Sequence, residues 1–217
     1  MILRVNFKPL AKSFAEVIYD LGDIPLERIR AYPPPGSATA ADLDRPDNKL
    51  CELIDGVLVE KPVGARESLL GIFIGRQIGN FIEADDLGVI LGADGLFWVD
   101  EDQLRAPDVT FFPWSAFPDE EIPDDTWWSV APGLCVEVLS PSNTEREIER
   151  KLRELFGAGC QLAWIVDPET KTAKVHTSAK RFKLLDIRGI LDGGKVLPGF
   201  KLPLAELFAA TKRRKKK

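Results

Sequence analysis

Arg105-Ala106-Pro107-Asp108-Val109-Thr110-Phe111-Phe112, then Gly133-Leu134-Cys135-Val136-Glu137-Val138-Leu139, then Ser140-Pro141-Ser142-Asn143-Thr144, is the stretch on which the fold turns. The first run is β-branched and aromatic, with an acid near its entrance. The second is a continuous apolar strand that one acid interrupts. The third opens a helix that carries Lys151. An unpaired carboxylate in a buried strand is costly, so Glu137 requires a partner or a metal. Two strand acids that converge, with a lysine on the next helix, suggest a metal-dependent phosphoryl-transfer site.

Downstream, residues 161–167 read as a further buried strand, and 172–178 pair with it across a turn begun by Asp167-Pro168. Between them and the Glu137 strand, Ser142-x-x-Glu145 has the form of a capping box, and the helix it opens runs to Phe156. A short helix over 203–210 follows. Upstream, Leu50 to Glu60 forms a hairpin with Asp55-Gly56 as its type I′ turn. Residues 65–83 form the longest helix, with Leu69, Leu70, Phe73, Ile74, Gln77, Ile78, Phe81 and Ile82 giving it a broad apolar face. Strands are expected at 87–92, 95–100 and 105–112, as a three-stranded meander. Residues 113–132 read as a surface loop pinned by Trp127-Trp128. The order is that of an α/β protein with a mixed sheet flanked by helices.

Residues 1–47 read as an N-terminal extension, with a helix over 8–20 stopped by Gly22, then Pro33-Pro34-Pro35-Gly36, then a short helix from Thr39 to Asp44. The main domain spans 48–210. The ending, Lys212-Arg213-Arg214-Lys215-Lys216-Lys217, reads with Thr211 as a basic disordered tail.

The chain has 217 residues, a net charge of −5 and a single histidine, His176. One well-buried core is expected from that length. The acidic balance argues against a generally basic nucleic-acid binder. One histidine excludes multi-histidine zinc sites and H-E-x-x-H proteases. No G-x-S-x-G elbow or Gly-rich phosphate loop is present, which disfavours a small-molecule hydrolase. The cysteines Cys51, Cys135 and Cys160 lack C-x-x-C spacing and read as buried thiols in a reducing compartment. No run approaches the ~20 apolar residues of a membrane span. The expected location is the cytoplasm.

Hydrolysing a phosphodiester requires an activated water and neutralisation of charge on the attacked and leaving oxygens, which divalent cations held by carboxylates supply. Asp108 and Glu137 are the natural ligands. Lys151 lies on the rim of the apolar stripe formed by Ile148, Leu152, Leu155 and Phe156, while Arg150, Arg153 and Glu154 fall on the outer face. A lysine there either leans in to act on the phosphate or only covers the helix edge. Asp108 could instead cap a backbone amide, and Glu137 could form a buried salt bridge with Lys151 itself. Glu52, in the first hairpin, and Glu67, in the first turn of the long helix, are further candidates.

Cys51-Glu52-Leu53-Ile54-Asp55-Gly56, Arg105-Ala106-Pro107-Asp108-Val109, Val136-Glu137-Val138-Leu139-Ser140-Pro141-Ser142, Lys151 and Leu162-Ala163-Trp164-Ile165-Val166-Asp167-Pro168 together resemble the Uma family. That family consists of restriction-endonuclease-like proteins assigned to the PD-(D/E)XK nuclease superfamily. The resemblance implies a restriction-endonuclease-like core, with Asp108 as the PD aspartate and Glu137 as the second motif acid. Leu139 stands where the motif lysine is found, and the resemblance moves that lysine to Lys151. Many family members carry a histidine after the first hairpin; this chain has Glu67 near there, an additional acidic ligand. The implied function is a Mg²⁺- or Mn²⁺-dependent DNA endonuclease, with Asp108, Glu137, Glu52 and Glu67 at the metal and Lys151 in catalysis. A homodimer is compatible with this reading. The alternative is a catalytically inactive nuclease fold that binds nucleic acid or protein.

Overall fold

The structure is a computed structural model describing residues 13–62 and 64–211. Its centre is the strand that contains Glu137, β7 (Leu134–Val138), hydrogen-bonded in parallel to β8 (Leu162–Asp167). Alternation along β7 and β8 sends Leu134, Val136, Val138, Leu162, Trp164 and Val166 to one face. There they pack on the helix α2 (Ala65–Glu83), through Leu70, Ile74 and Ile78, and on the short helix α4 (Leu204–Ala209). The opposite parity sends Cys135, Ala163 and Ile165 to the other face, under Leu152 and Leu155 of α3 (Glu145–Gly157). α3 is the crossover that lets β7 and β8 run parallel. Glu137 shares the α3 face by that same parity.

The remaining strands complete a six-stranded sheet in the order β10-β9-β8-β7-β6-β3, with β3 (Gly88–Gly92), β6 (Val109–Pro113), β9 (Thr172–His176) and β10 (Phe182–Leu185). A second sheet of four strands, β2-β1-β5-β4, holds the hairpin β1 (Cys51–Ile54) and β2 (Val57–Glu60), with β4 (Phe97–Asp100) and β5 (Gln103–Arg105). Asp55 and Gly56 turn the hairpin with φ of 49° and 70°, as a type I′ turn demands. A two-stranded ribbon pairs β11 (Ile190–Asp192) with β12 (Lys201–Pro203). Among the described residues no helix is long and apolar enough to cross a membrane.

The expected meander is instead divided between two sheets. The run expected as one strand over 105–112 breaks at Ala106-Pro107-Asp108, where Pro107 has no N–H for a ladder. β5 therefore ends in the small sheet and β6 begins in the large one. The aromatic loop holds as expected: Trp128 packs edge-on against Phe112 and Phe117, at 5.4 and 5.2 Å between centroids.

At the front, α1 (Phe14–Leu21) ends at Gly22 in the left-handed conformation (φ 93°). A Cβ at Gly22 would stand 2.6 Å from the Glu147 nitrogen, so the turn presses against the start of α3. The part of the expected first helix before Ser13 lies outside the described residues, as does the basic ending from Lys212. The short helix after Thr39 is present as a 3-10 turn, Ala40–Asp44.

The cap of α3 lies two residues beyond the expected one. Thr144 accepts the Glu147 N–H and Glu147 accepts the Thr144 N–H. Thr144-x-x-Glu147 wins over Ser142-x-x-Glu145 because Arg28 clamps the Glu147 carboxylate with two bonds of 2.7 and 3.0 Å. Arg150 and Glu154 also differ from expectation. Arg150 is buried and pairs with Asp55 and Glu154, and Glu154 pairs with Arg105. The first hairpin and the segment before it cover that side of α3, so only Arg153 of the three is exposed.

Candidate active site

Two strand registers build the site. β6 and β7 pair Val109 with Val136, so one further step sets Asp108 opposite Glu137. Asp108 Oδ2 there accepts the N–H of Val138 at 2.8 Å. β1 and β5 pair Leu53 with Leu104, so the next step sets Glu52 opposite Arg105. Arg105 Nη1 donates to Glu52 at 2.8 Å, and its Nε donates to Glu154 at 2.7 Å. α3 then delivers Lys151 between the two sheets. Its ammonium contacts Glu137 Oε1 and lies 2.9 Å from Glu52 Oε1.

These five candidates, Glu52, Glu67, Asp108, Glu137 and Lys151, all line one cavity of ≈ 380 Å³. Asp108 and Glu137 form its acidic wall, and Gly71 of α2 lies above Asp108, 3.5 Å from its Cβ to the position a Cβ would take. Glu67 is half-buried in the first turn of α2, and its Oε2 occupies the place a Cβ on Gly64 would fill, 1.8 Å away. The helix dipole favours a carboxylate there.

Glu52 is 3% exposed and fully engaged: Oε1 takes the Ala106 N–H at 2.9 Å as well as Lys151, and Oε2 takes Arg105. A cation could reach it only by displacing one of these. Burial alone would raise its pKa, but Lys151 and Arg105 outweigh that and hold it below the carboxylate range. Glu137 behaves in the opposite way. Burial pushes it up to about 7 despite Lys151, and the Asp108 charge adds to the rise. Burial opposes the charge on Lys151, yet Glu137 and Glu52 prevail and hold its pKa above the ordinary lysine value.

One residue of this wall escaped the sequence reading. Lys61, just past β2, is 8% exposed; its ammonium donates to the carbonyls of Ala93 and Ala106 and lies 3.5 Å from Asp108 Oδ1. The signal was strand parity. β1 and β2 pair Glu52 with Val59, and Lys61 follows two residues later on the same face.

The donor set suits a hard divalent cation. Glu137 Oε1 is buried and, among the described residues, only the Lys151 ammonium reaches it, while Asp108 raises its pKa in the way a bound cation would reverse. Among the described residues no group of three or more acids, histidines and cysteines is arranged around one ion. Two carboxylates suffice for Mg²⁺, which keeps several waters and takes further oxygens from phosphate.

A family model described as "Uma2: Putative restriction endonuclease" matches residues 39–205. The crystal structure of "a putative nuclease belonging to DUF820" from Anabaena variabilis shares the fold, with a TM-score of 0.66. Identity to it is 20%, over 74% of this chain and 90% of that one. No functionally curated protein matches the chain.

Proposed function

Because the chain belongs to the Uma2 family, described as "Putative restriction endonuclease", we propose that it hydrolyses DNA phosphodiester bonds with Mg²⁺ or Mn²⁺ held by Asp108 and Glu137. The observation that carries this reading is the register step that faces Asp108 with Glu137 in one cavity, beside Lys151. A cation bound there supplies charge neutralisation at the phosphate and a more acidic water.

The chain's own groups do the rest. Lys151 keeps its proton at neutral pH, so it acts as a donor to the phosphoryl oxygens rather than as a base. Glu52 orients that donor from behind, which makes it a positioning residue in place of the metal ligand expected from the sequence. Glu67 supplies a further carboxylate at the cavity edge. Lys61 counters the charge of Asp108 at the cavity wall.

A second reading rests on the same contacts. Lys151 against Glu137 and Lys61 against Asp108 already neutralise both acids, which suits an inactive module that binds nucleic acid through its fold. Incubation with supercoiled, linear and single-stranded DNA and with RNA, in Mg²⁺, Mn²⁺ or chelator, separates the two. Cleavage of DNA only with metal is expected; binding without cleavage in every condition selects the inactive module.

A further inference from the structure

A second cavity of ≈ 540 Å³ adjoins the candidate active site, and Asn143 and Ile148 wall both. Its floor is apolar, formed by Leu139, Leu152 and Ile165. One side is His176, on β9, and Phe182, on the edge strand β10, with ring centroids 5.0 Å apart and planes tilted by 32°. His176 is 4% exposed, and among the described residues neither ring nitrogen has a hydrogen-bond partner in good geometry, although the Ser178 backbone lies close enough to act on the ring. Burial lowers its pKa, an effect the Ser178 backbone opposes and Lys174 reinforces, so the ring is neutral and offers one donor and one acceptor. Buried polar atoms left in this way are rare and costly, and they mark a place where a polar group is expected.

Phe182 is 48% exposed and lines the cavity as its most exposed aromatic side chain. Lys174, Lys180 and Arg153 stand around it, none with an ion pair among the described residues; Glu145 and Glu149 complete the rim. Lys174 Nζ lies 5.1 Å from the Phe182 ring centre.

We propose that this cavity receives one unstacked nucleobase of the strand being cut, its face on Phe182 and its edge toward His176. A base requires what the cavity combines: an aromatic platform, an apolar floor and a donor–acceptor pair for its edge. The flanking phosphates meet Lys174, Lys180 and Arg153. The shared wall of Asn143 and Ile148 favours a strand that runs through both cavities over a free nucleotide. The inference rests on the nuclease reading and adds a determinant of which strand position is cut.

The test is photocross-linking of the wild-type chain, in chelator, to single-stranded DNA that carries 5-iodouracil at one position at a time. One position is expected to cross-link to the peptide that contains Phe182. Phe182→Ala is expected to remove that cross-link and weaken single-strand affinity about 5- to 150-fold, the range of one base–aromatic stack. Lys180→Gln, at an exposed position, is expected to weaken it less. DNA binding with no cross-link to this peptide, and no effect of Phe182→Ala, overturns the base pocket and leaves the nuclease reading standing. Absence of DNA binding with or without Mn²⁺ overturns both. Saturable binding of a free nucleoside monophosphate that Phe182→Ala abolishes, with DNA binding unchanged, reassigns the cavity to a free nucleotide and overturns the proposal.

Discussion

Glu52 Oε1 lies 2.9 Å from Lys151 Nζ, joining the first hairpin to the helix that crosses over between the two parallel strands. Glu52 also binds Arg105, and Arg105 binds Glu154, one turn beyond Lys151 on the same helix. The lysine is therefore held between sheet and helix by charges that are themselves buried. Its position is a property of the whole network.

Lys151→Met keeps the apolar stem and removes the charge. Two buried acids, Glu52 and Glu137, then lose a partner, and a stability loss on the order of 3–5 kcal/mol is expected. With Mn²⁺ bound, cleavage is expected to fall ~100-fold or more, the scale of one lost transition-state donor. Single-turnover rates and urea unfolding of both proteins check this. Full cleavage by the variant would remove Lys151 from the chemistry.

Glu52 gives a pH signature. Its folded pKa lies below its unfolded one, so between the two the unfolded chain binds more protons and stability rises with pH. Its contribution is present above about pH 4.5, the ordinary carboxylate value, and is lost as pH falls toward the depressed folded value. Urea unfolding of Glu52→Gln from about pH 3 to 7 should show a flatter dependence on the acid side than wild type. Parallel curves would mean that Glu52 carries no such linkage.

Arg105→Met strands Glu52 and Glu154 together in a site where Arg105 is 1% exposed. A loss on the order of 3–5 kcal/mol is expected. In a double-mutant cycle, Glu52→Gln on top of it should cost much less than it does alone. Additive costs would show that the two do not act as a pair.

Deletion of residues 212–217, Lys212-Arg213-Arg214-Lys215-Lys216-Lys217, removes six positive charges. DNA affinity should fall and its salt dependence flatten, while the cleavage pattern stays the same. A changed pattern would make these residues part of recognition.

Much of this site is legible in strand parity and register. The acid of β7 falls on the α3 face by alternation alone, and the type I′ turn at Asp55-Gly56 fixes the hairpin that carries Glu52. Helix phase was a weaker guide. It set Arg150 and Glu154 toward solvent, because nothing in the sequence of α3 says that the hairpin turn and the Gly22 bend cover that side. Pro107 was the signal for the sheet change between β5 and β6, though its neighbours read as one strand. β10 gave little to read, since Phe182, Lys183 and Leu184 are all exposed and show no inside–outside alternation.

The most direct test of the metal site is the melting temperature of wild type, Asp108→Asn and Glu137→Gln across a Mn²⁺ titration without nucleic acid. A ligand that binds only the folded state raises the melting temperature with its concentration. Wild type is expected to show that rise and both variants, folded by circular dichroism, to lose it. An equal rise in all three would contradict the assignment of Asp108 and Glu137 to the metal.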